Sequence, residues 1–210
     1  MDSNTLQLEF NNQLDTLLKN NYHTKIGLAE KAFIDLVEPL RNQLEEFELN
    51  EVNIKDGYLP FVIVVRSSLI PTEYVVERIK RGNKSGIVSL DPKVSTDFTT
   101  INNVSIPNKD IYLLIDIDRG KETLNITPEE ALKRIQQANR SPLNIDEGVS
   151  ILIQYPEFLI KNNCFSMLAS RAGDQRVPAL WISEGRTKLG WCWDRNPHTW
   201  LGSASCKERI

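Results

Sequence analysis

The sequence lacks a long hydrophobic segment and a recognisable leader. Its longest apolar run, Leu59 to Val65, is seven residues long and contains a proline, whereas a helix that crosses a bilayer needs roughly 20 apolar residues. The N-terminus carries Asp2 and Glu9 and no basic, apolar and small-residue series of the kind found in signal peptides. We therefore expect a cytoplasmic protein without a membrane partner.

Cysteine, glycine and proline are also scarce. The 210 residues include three cysteines, 10 glycines and 10 prolines, with 40% hydrophobic and 25% charged residues. An odd number of cysteines argues against a secreted disulfide framework and favours reduced thiols or metal ligands. The composition is typical of a folded chain of one core. We predict a single domain over residues 1–210, with a possible helical N-terminal lobe over 1–50 and a β-rich region over 161–210.

The net charge of −3 conceals an asymmetry along the chain. Residues 1–160 contain 17 Lys and Arg against 24 Asp and Glu, while residues 161–210 contain 8 against 4. An acidic body with a basic end suggests an anionic partner for that end. The alternative is an evenly solvated surface with no such role.

The N-terminal region has helical patterns. Apolar residues from Leu6 to Leu18 recur at mostly helical spacing, after Asp2 as a candidate cap. A second series from Ile26 to Phe47 steps by three or four residues throughout and predicts a long amphipathic helix, bent where Pro39 removes a backbone donor.

Strand patterns dominate the rest of the chain. Apolar runs at Phe61–Val65 and Ile111–Ile117 predict buried strands. Further helix starts are predicted at Thr127, which is followed by Pro128 and Glu130, and near Asn144. Near the C-terminus the apolar stretches Phe165–Ala169, Val177–Ile182 and Leu189–Trp193 predict an antiparallel meander. N-terminal helices, a mixed central region and a C-terminal antiparallel sheet indicate the α+β class.

Strand alternation suggests a candidate nucleophile. On a strand through Lys188 to Asp194, Leu189, Trp191 and Trp193 face one way and Cys192 the other. We expect the tryptophan face to be buried. Cys192 then shares its face with charged side chains, and one hypothesis makes it a nucleophile with His198 as the base. The alternative is a half-buried cysteine without a catalytic role.

Charged residues between two predicted strands form a second candidate site. Arg171 and Arg176 present forked donors suited to a carboxylate or phosphate, and Asp174 between them is placed to orient one of them. An internal salt bridge that holds the turn explains the same residues. His198 follows the turn signal Asn196-Pro197 and is therefore expected on a loop.

Metal sites are less well supported. Cys164, Cys192, His198 and Cys206 are ligand types that zinc prefers, but no close pair of the usual spacing occurs among them. We therefore predict no metal at these residues. Asp116 and Asp118, at a predicted strand end, are either magnesium ligands or loop caps.

Aromatic and basic residues near the C-terminus raise a nucleic-acid alternative. The set that could stack on bases and neutralise a single strand is Trp181, Arg186, Trp191, Trp193, Arg195 and Trp200. A tryptophan-rich sheet core produces the same list. The small net charge argues against a nucleic-acid partner.

Four runs in the sequence resemble a known family. NNCFSMLASRAGDQRVPALWIS, GRTKLGWCWDRNPHTWLGSASC, LLIDIDRGKETLNITPEEAL and PFVIVV are similar to a family of uncharacterised bacterial proteins that is known only as a domain of unknown function. The resemblance covers nearly the whole chain and implies a cytoplasmic bacterial protein. It implies no activity, but Arg171, Asp174, Arg176, Cys192 and His198 fall inside the resembling runs.

The preferred interpretation is a protein that binds a small anionic ligand in a C-terminal pocket through Arg171, Arg176 and His198. A hydrolase or transferase that uses Cys192 and His198 is the alternative, and single-stranded nucleic-acid binding comes third. The patterns indicate no particular cofactor or oligomeric state.

Overall fold

The N-terminal region contains four helices, the first of which covers the predicted series Leu6–Leu18. The computed structural model describes residues 1–210, and its first elements are α1 (Ser3–Lys19), α2 (Tyr22–Lys25), α3 (Glu30–Val37) and α4 (Pro39–Leu44). α1 begins where the Asp2 carboxylate accepts a hydrogen bond from the Thr5 N–H at 2.7 Å, as expected of an N-cap.

The helix predicted from Ile26 to Phe47 is confirmed only in part: it covers Glu30–Leu44 and is divided at Pro39, where the sequence predicts a bend. Ala29 is extended, with ψ of 152°, so α3 begins only after it. Pro39 cannot donate a backbone hydrogen bond and starts a new helix, α4, which ends at Leu44.

The rest of the chain alternates short strands and helices. In order these are β1 (Tyr58–Val65), α5 (Thr72–Arg78), β2 (Lys80–Arg81), β3 (Lys84–Ser85), β4 (Ile87–Val88), β5 (Thr99–Thr100), β6 (Ile111–Asp118), α6 (Pro128–Gln137), β7 (Ser141–Pro142), α7 (Ile145–Gln154), β8 (Cys164–Ser166), β9 (Ser170–Arg171), β10 (Arg176–Ser183), β11 (Arg186–Trp193), β12 (Leu201–Ser203) and β13 (Ser205–Arg209). Helices and mixed sheets in one chain confirm the α+β class.

The first sheet has four antiparallel strands in the order β1-β6-β13-β7. The two predicted apolar strands lie side by side, with Phe61 opposite Ile115 and Val65 opposite Ile111. β13 adds the end of the chain to β6, and Glu208 lies opposite Ile115. The C-terminus is therefore part of the sheet.

The second sheet has five strands in the order β12-β8-β10-β11-β4. Its centre is the predicted meander, because β8, β10 and β11 pair antiparallel around Leu180, which lies opposite both Phe165 and Leu189. The short edge strands β12 and β4 run parallel to their neighbours. The tight turn between β10 and β11 has positive φ at Glu184 and Gly185.

Two helix starts follow the predicted cap signals. The Thr127 hydroxyl accepts a hydrogen bond from the Glu130 N–H at 3.2 Å, and α6 ends one residue before Ala138. Asn144 and Glu147 form a reciprocal capping box at the start of α7.

α7 is the central helix of the fold. Eight of its ten residues are buried, and it packs on β1 of the first sheet. Gly148 allows a close approach to the second sheet, because a Cβ at this position would overlap the Sδ of Met167. One hydrophobic cluster of 52 buried residues, from Leu6 to Cys206, joins the helices and both sheets. None of the helices combines the length and apolar character needed to cross a bilayer.

Candidate functional site

The two arginines predicted to bind an anion are already bonded within the protein. Arg171 forms an ion pair with Asp194 at 3.1 Å and donates to the carbonyl oxygens of Leu168 and Ser170. Arg176 pairs with Asp174 at 2.5 Å, which is the internal salt bridge considered from the sequence. Each guanidinium therefore already has a carboxylate partner that neutralises its charge.

Cys192 and His198 do share a cleft, but the arginines do not line it. This cleft, hereafter the tryptophan cleft, has a volume of about 340 Å³ and is lined by Trp181, Trp191, Cys192, Trp193, Asn196, His198, Trp200 and Leu201. The structure thus places the proposed catalytic pair in one cleft, and the proposed anion-binding arginines lie next to that cleft without lining it.

Burial makes Cys192 a poor nucleophile. It raises the pKa of the thiol to about 11, although the nearby Ser166 hydroxyl and Arg171 charge act in the opposite direction. No hydrogen bond joins its sulfur to His198, whose ring packs instead against Trp200 with centroids 5.1 Å apart. Burial also lowers the pKa of His198. At neutral pH Cys192 is therefore a protonated thiol, unlike the thiolates of cysteine enzymes.

The prediction that the tryptophan face of β11 is buried is wrong. Leu189 is buried, but Trp193 on the same face is 44% exposed and Trp191 is partly exposed. Cys192 on the opposite face is buried. Alternation identifies which residues share a face, but the cover over each face comes from distant parts of the chain.

The side chains considered as metal ligands have other partners or lie apart. No three His, Cys, Asp or Glu side chains come together in a group that could hold a metal ion, so the four residues of the zinc alternative do not form one site. Asp116 pairs with Arg140 at 2.8 Å, and the Asp118 carboxylate accepts a hydrogen bond from the Gly120 N–H. Asp118 is thus a loop cap.

A second cleft, which the sequence analysis did not predict, has the opposite character. This polar cleft has a volume of about 320 Å³, and two of its twelve lining residues are hydrophobic. Its lining comes from the end of β1, the start of α5, the segment 95–100, the start of α7, and β9: Arg66, Ser67, Thr72, Ser95, Thr96, Phe98, Thr99, Thr100, Asn144, Ile145, Asp146 and Ser170.

Backbone pairing assembles these segments. β5 pairs with β9, with Thr100 opposite Ser170, and the Ser170 hydroxyl accepts a hydrogen bond from the Ile145 N–H at 3.1 Å. The Arg66 N–H donates to the Asp110 carbonyl at 2.9 Å. The walls are therefore fixed by the fold rather than by a mobile loop.

Arg66 carries an unpaired charge into the polar cleft. Its guanidinium takes part in none of the ion pairs or side-chain hydrogen bonds of the protein, although the residue is partly buried. An arginine with five donors in a fixed fork is suited to bind a carboxylate or phosphate. The sequence suggested Arg171 and Arg176 as the anion-binding residues, but the arginine without an ion-pair partner is Arg66.

Asp146 lies in the same cleft as Arg66 without touching it. No carboxylate oxygen approaches Arg66 within the 4.0 Å of an ion pair, yet the charge of Arg66 acts on Asp146. Burial raises the pKa of Asp146 above its ordinary value, while Ser67 and Arg66 partly oppose that shift. Two opposite charges thus face one cleft with a gap between them.

Unused hydrogen-bonding groups surround this gap. The Asn144 side chain is 5% exposed; its oxygen accepts from the Glu147 N–H at 2.9 Å, while its amide nitrogen has no partner in the protein. The hydroxyl of Thr72, which is 3% exposed, likewise has no partner. Neither atom is among the buried side-chain atoms that lack a partner, so both are accessible from the cleft and can bond to a polar molecule there.

A buried ionic network supports the start of α7. Glu147 is fully buried and pairs with Arg209, which is 5% exposed at its side chain. The Tyr112 hydroxyl donates to Glu147 at 2.8 Å, and the Asn144 N–H donates to it at 2.8 Å. Burial alone would lower the pKa of Arg209, but the Glu147 charge raises it above its ordinary value. The network fixes Asn144 at the cleft.

The sequence carried weak signals for the polar cleft. Arg66, Ser67 and Ser68 directly follow a buried apolar strand, and Asp146 sits beside the predicted cap Asn144. Residues at the carboxyl ends of strands and at helix starts are common ligand contacts. The two signals belong to one site because α7 packs on β1. No local pattern in the sequence reveals that contact.

Comparison with known proteins gives a family but no activity. A family model described as a family of unknown function, DUF5701, matches residues 16–210. No match was found among the curated proteins or among the solved structures.

Proposed function

The chain belongs to the DUF5701 family, a family of unknown function, and we propose that it binds a small anionic molecule with hydroxyl groups in the polar cleft. Arg66 holds the phosphate or carboxylate group of this ligand. Asp146, Asn144 and the surrounding hydroxyls bind its polar remainder.

The observation that carries the proposal is the open gap between Arg66 and Asp146. Opposite charges in a partly desolvated cleft attract each other strongly, yet these two do not form an ion pair. Arg66 directly follows β1 and Asp146 lies in α7, so their backbones are fixed in different parts of the fold. A ligand that accepts from Arg66 and donates to Asp146 fills the gap and satisfies both charges.

The size of the cleft supports the same ligand. The volume of about 320 Å³ is at the lower end of the range for small-molecule sites. A molecule with one anionic group and two or three hydroxyls suits this size and lining.

The C-terminal pocket is less suited to the anion. Arg171 and Arg176 each already pair with an aspartate, so their charges are neutralised within the protein, whereas the charge of Arg66 is not. We therefore keep the anionic ligand that the sequence suggested, but we propose that it binds at Arg66 rather than at Arg171 and Arg176.

Isothermal titration with glycerol 3-phosphate tests the proposal, with glycerol and inorganic phosphate as partial ligands. We expect glycerol 3-phosphate to bind more tightly than phosphate, and glycerol not to bind measurably. Arg66→Gln should weaken glycerol 3-phosphate binding by about 10- to 100-fold, the usual contribution of hydrogen bonds to a charged group.

Arg195→Gln is the matched control, because Arg195 is an exposed arginine that pairs with Glu129 on the surface. It should leave binding unchanged. Equal affinities of the two variants and the unmodified protein, or binding that Arg171→Gln abolishes and Arg66→Gln does not, would contradict the proposal.

A further inference from the structure

All four tryptophans of the chain line the tryptophan cleft. They form two edge-to-face pairs: Trp181 with Trp200, at 6.2 Å between ring centroids, and Trp191 with Trp193, at 4.8 Å. Trp193 is 44% exposed and the other three are partly exposed. Large aromatic surface that stays accessible in a concave site is characteristic of a binding site rather than of a core.

The rings are held in place before any ligand arrives. The Trp181 ring lies across β11 at Gly190, where a Cβ would overlap it. The Trp191 indole nitrogen donates to the Asp91 carbonyl at 3.0 Å. The Arg176 guanidinium lies 4.6 Å from the Trp191 ring centroid and 5.0 Å from that of Trp193. Fixed rings lose little conformational freedom when a planar group packs against them.

Cations without partners lie at the Trp181 end of the cleft. Lys188 is directly opposite Trp181 on β10 and β11, with its ammonium 5.5 Å from the ring centroid, and it forms no ion pair. Arg186, two residues earlier on the same face of β11, has a buried Nε atom without a hydrogen-bond partner. The apolar cleft is therefore bordered by positive charge that a ligand can neutralise.

We propose that the tryptophan cleft binds a mononucleotide, with its base packed against the Trp181–Trp200 pair and its phosphate on Lys188 and Arg186, which lie on the same face of the sheet as Trp181. The planar base matches the aromatic lining, since every base presents a π face to an indole. The Asn196 and His198 side chains at the cleft supply polar contacts to the base edge. This site is separate from the polar cleft and does not depend on the function proposed there.

A single nucleotide fits these features better than a nucleic-acid strand. Strand binding relies on a positive groove that follows many phosphates, whereas the protein has a net charge of −3 and two unpaired cations beside this cleft. The volume of about 340 Å³ also suits one small ligand.

Intrinsic tryptophan fluorescence reports on this cleft alone, because no tryptophan lies elsewhere. Titration with adenosine 5′-monophosphate should change the emission in a saturable manner, and ribose 5-phosphate should not. Trp200→Leu should weaken nucleotide binding by about tenfold, within the range for one stacked base. Lys188→Gln should weaken the nucleotide by about tenfold and leave adenosine unaffected.

Two controls separate this inference from the polar cleft. Lys207→Gln changes an exposed lysine on β13 and should have no effect, and Arg66→Gln should leave the fluorescence titration unchanged. Gly190→Ala should shift Trp181 and weaken binding without removing a tryptophan. Nucleotide binding that Arg66→Gln abolishes and Trp200→Leu preserves would overturn the inference. So would a single-stranded oligonucleotide that binds far more tightly than the nucleotide and is released by salt, or a flat fluorescence titration.

Discussion

The polar cleft and the tryptophan cleft belong to one fold but are built in different ways. Two of the twelve residues of the polar cleft are hydrophobic, against six of eight in the tryptophan cleft. The polar cleft takes its residues from five separated segments between Arg66 and Ser170, while the tryptophan cleft lies within residues 181–201. The residues of the tryptophan cleft are therefore close together in the sequence, whereas those of the polar cleft come together only in the folded protein.

The two regions also differ in how their charges are used. The arginines near the C-terminus, Arg171 and Arg176, each pair with an aspartate. Arg66 remains unpaired in the polar cleft, opposite Asp146. The charge counts identified the basic C-terminal region of the sequence. Whether an arginine can bind an anion depends, however, on whether the fold leaves its charge without a carboxylate partner.

The largest expected effect comes from the ionic network beneath the polar cleft. Glu147→Ala leaves Arg209 buried without its carboxylate partner, so we expect a loss of about 3 to 5 kcal/mol in the free energy of unfolding. Urea unfolding measures this loss. The folded fraction should also lose glycerol 3-phosphate binding while its tryptophan emission stays unchanged, because only the polar cleft rests on this network.

Glu129→Ala is the comparison for that measurement. Glu129 pairs with Lys133 at 4.0 Å on the surface, where both side chains are about half exposed, so its loss should cost less than about 1 kcal/mol. A cost for Glu147→Ala as small as this would show that the buried network does not support the cleft.

A smaller effect is expected from the thiol of the tryptophan cleft. Burial raises the pKa of Cys192 from 9.0 to about 11. A group whose pKa is higher in the folded state stabilises the fold below its unfolded pKa, and that contribution is lost as the pH rises from about 9 to about 11. The unmodified protein should therefore lose up to about 2 to 3 kcal/mol more than Cys192→Ala over this range.

Urea unfolding of both proteins at pH values across that window provides the measurement. Alkylation by iodoacetamide at neutral pH gives an independent check and should be slow for the folded protein. Rapid labelling of Cys192 near pH 7 would contradict a protonated buried thiol and would favour the enzyme alternative with His198.

The smallest effect concerns the acid of the polar cleft. The raised pKa of Asp146 means that the folded state favours the protonated form, so its stabilising contribution is present at acid pH and is lost as the carboxyl ionises. Asp146→Asn should therefore be more stable than the unmodified protein at pH 7, by less than about 1 kcal/mol. The difference should shrink as the pH falls below the carboxyl range.

Chemical denaturation at neutral and acid pH measures this difference. When the substitution of a cleft residue stabilises the protein, that residue is typically kept for function. We expect no stabilising substitution at Asn196 in the tryptophan cleft. Destabilisation by Asp146→Asn at pH 7 would mean that the charge serves the fold rather than a ligand.

Local signals in the sequence predicted much of the fold. The caps Asp2, Thr127 and Asn144 each accept the expected hydrogen bond at a helix start. The paired strands β1 and β6 follow from their apolar runs. These features depend on neighbouring residues and on burial, which the sequence pattern records directly.

The remaining features depend on contacts between distant segments. Alternation grouped Trp191 and Trp193 correctly but assigned the wrong burial, because the burial of a strand face depends on segments that are distant in the sequence. The pairing of Arg171 with Asp194 joins residues on different strands. The polar cleft requires the end of β1, the start of α7 and β9 to meet, which no single stretch of sequence indicates.

Titration of glycerol 3-phosphate into the unmodified protein and Arg66→Gln tests the central claim most directly. Calorimetry should show binding that Arg66→Gln weakens by about 10- to 100-fold, while tryptophan emission from the other cleft stays the same. Equal binding by the two proteins, or binding that depends on Arg171 and Arg176 instead, would contradict the assignment of the anion site to the polar cleft.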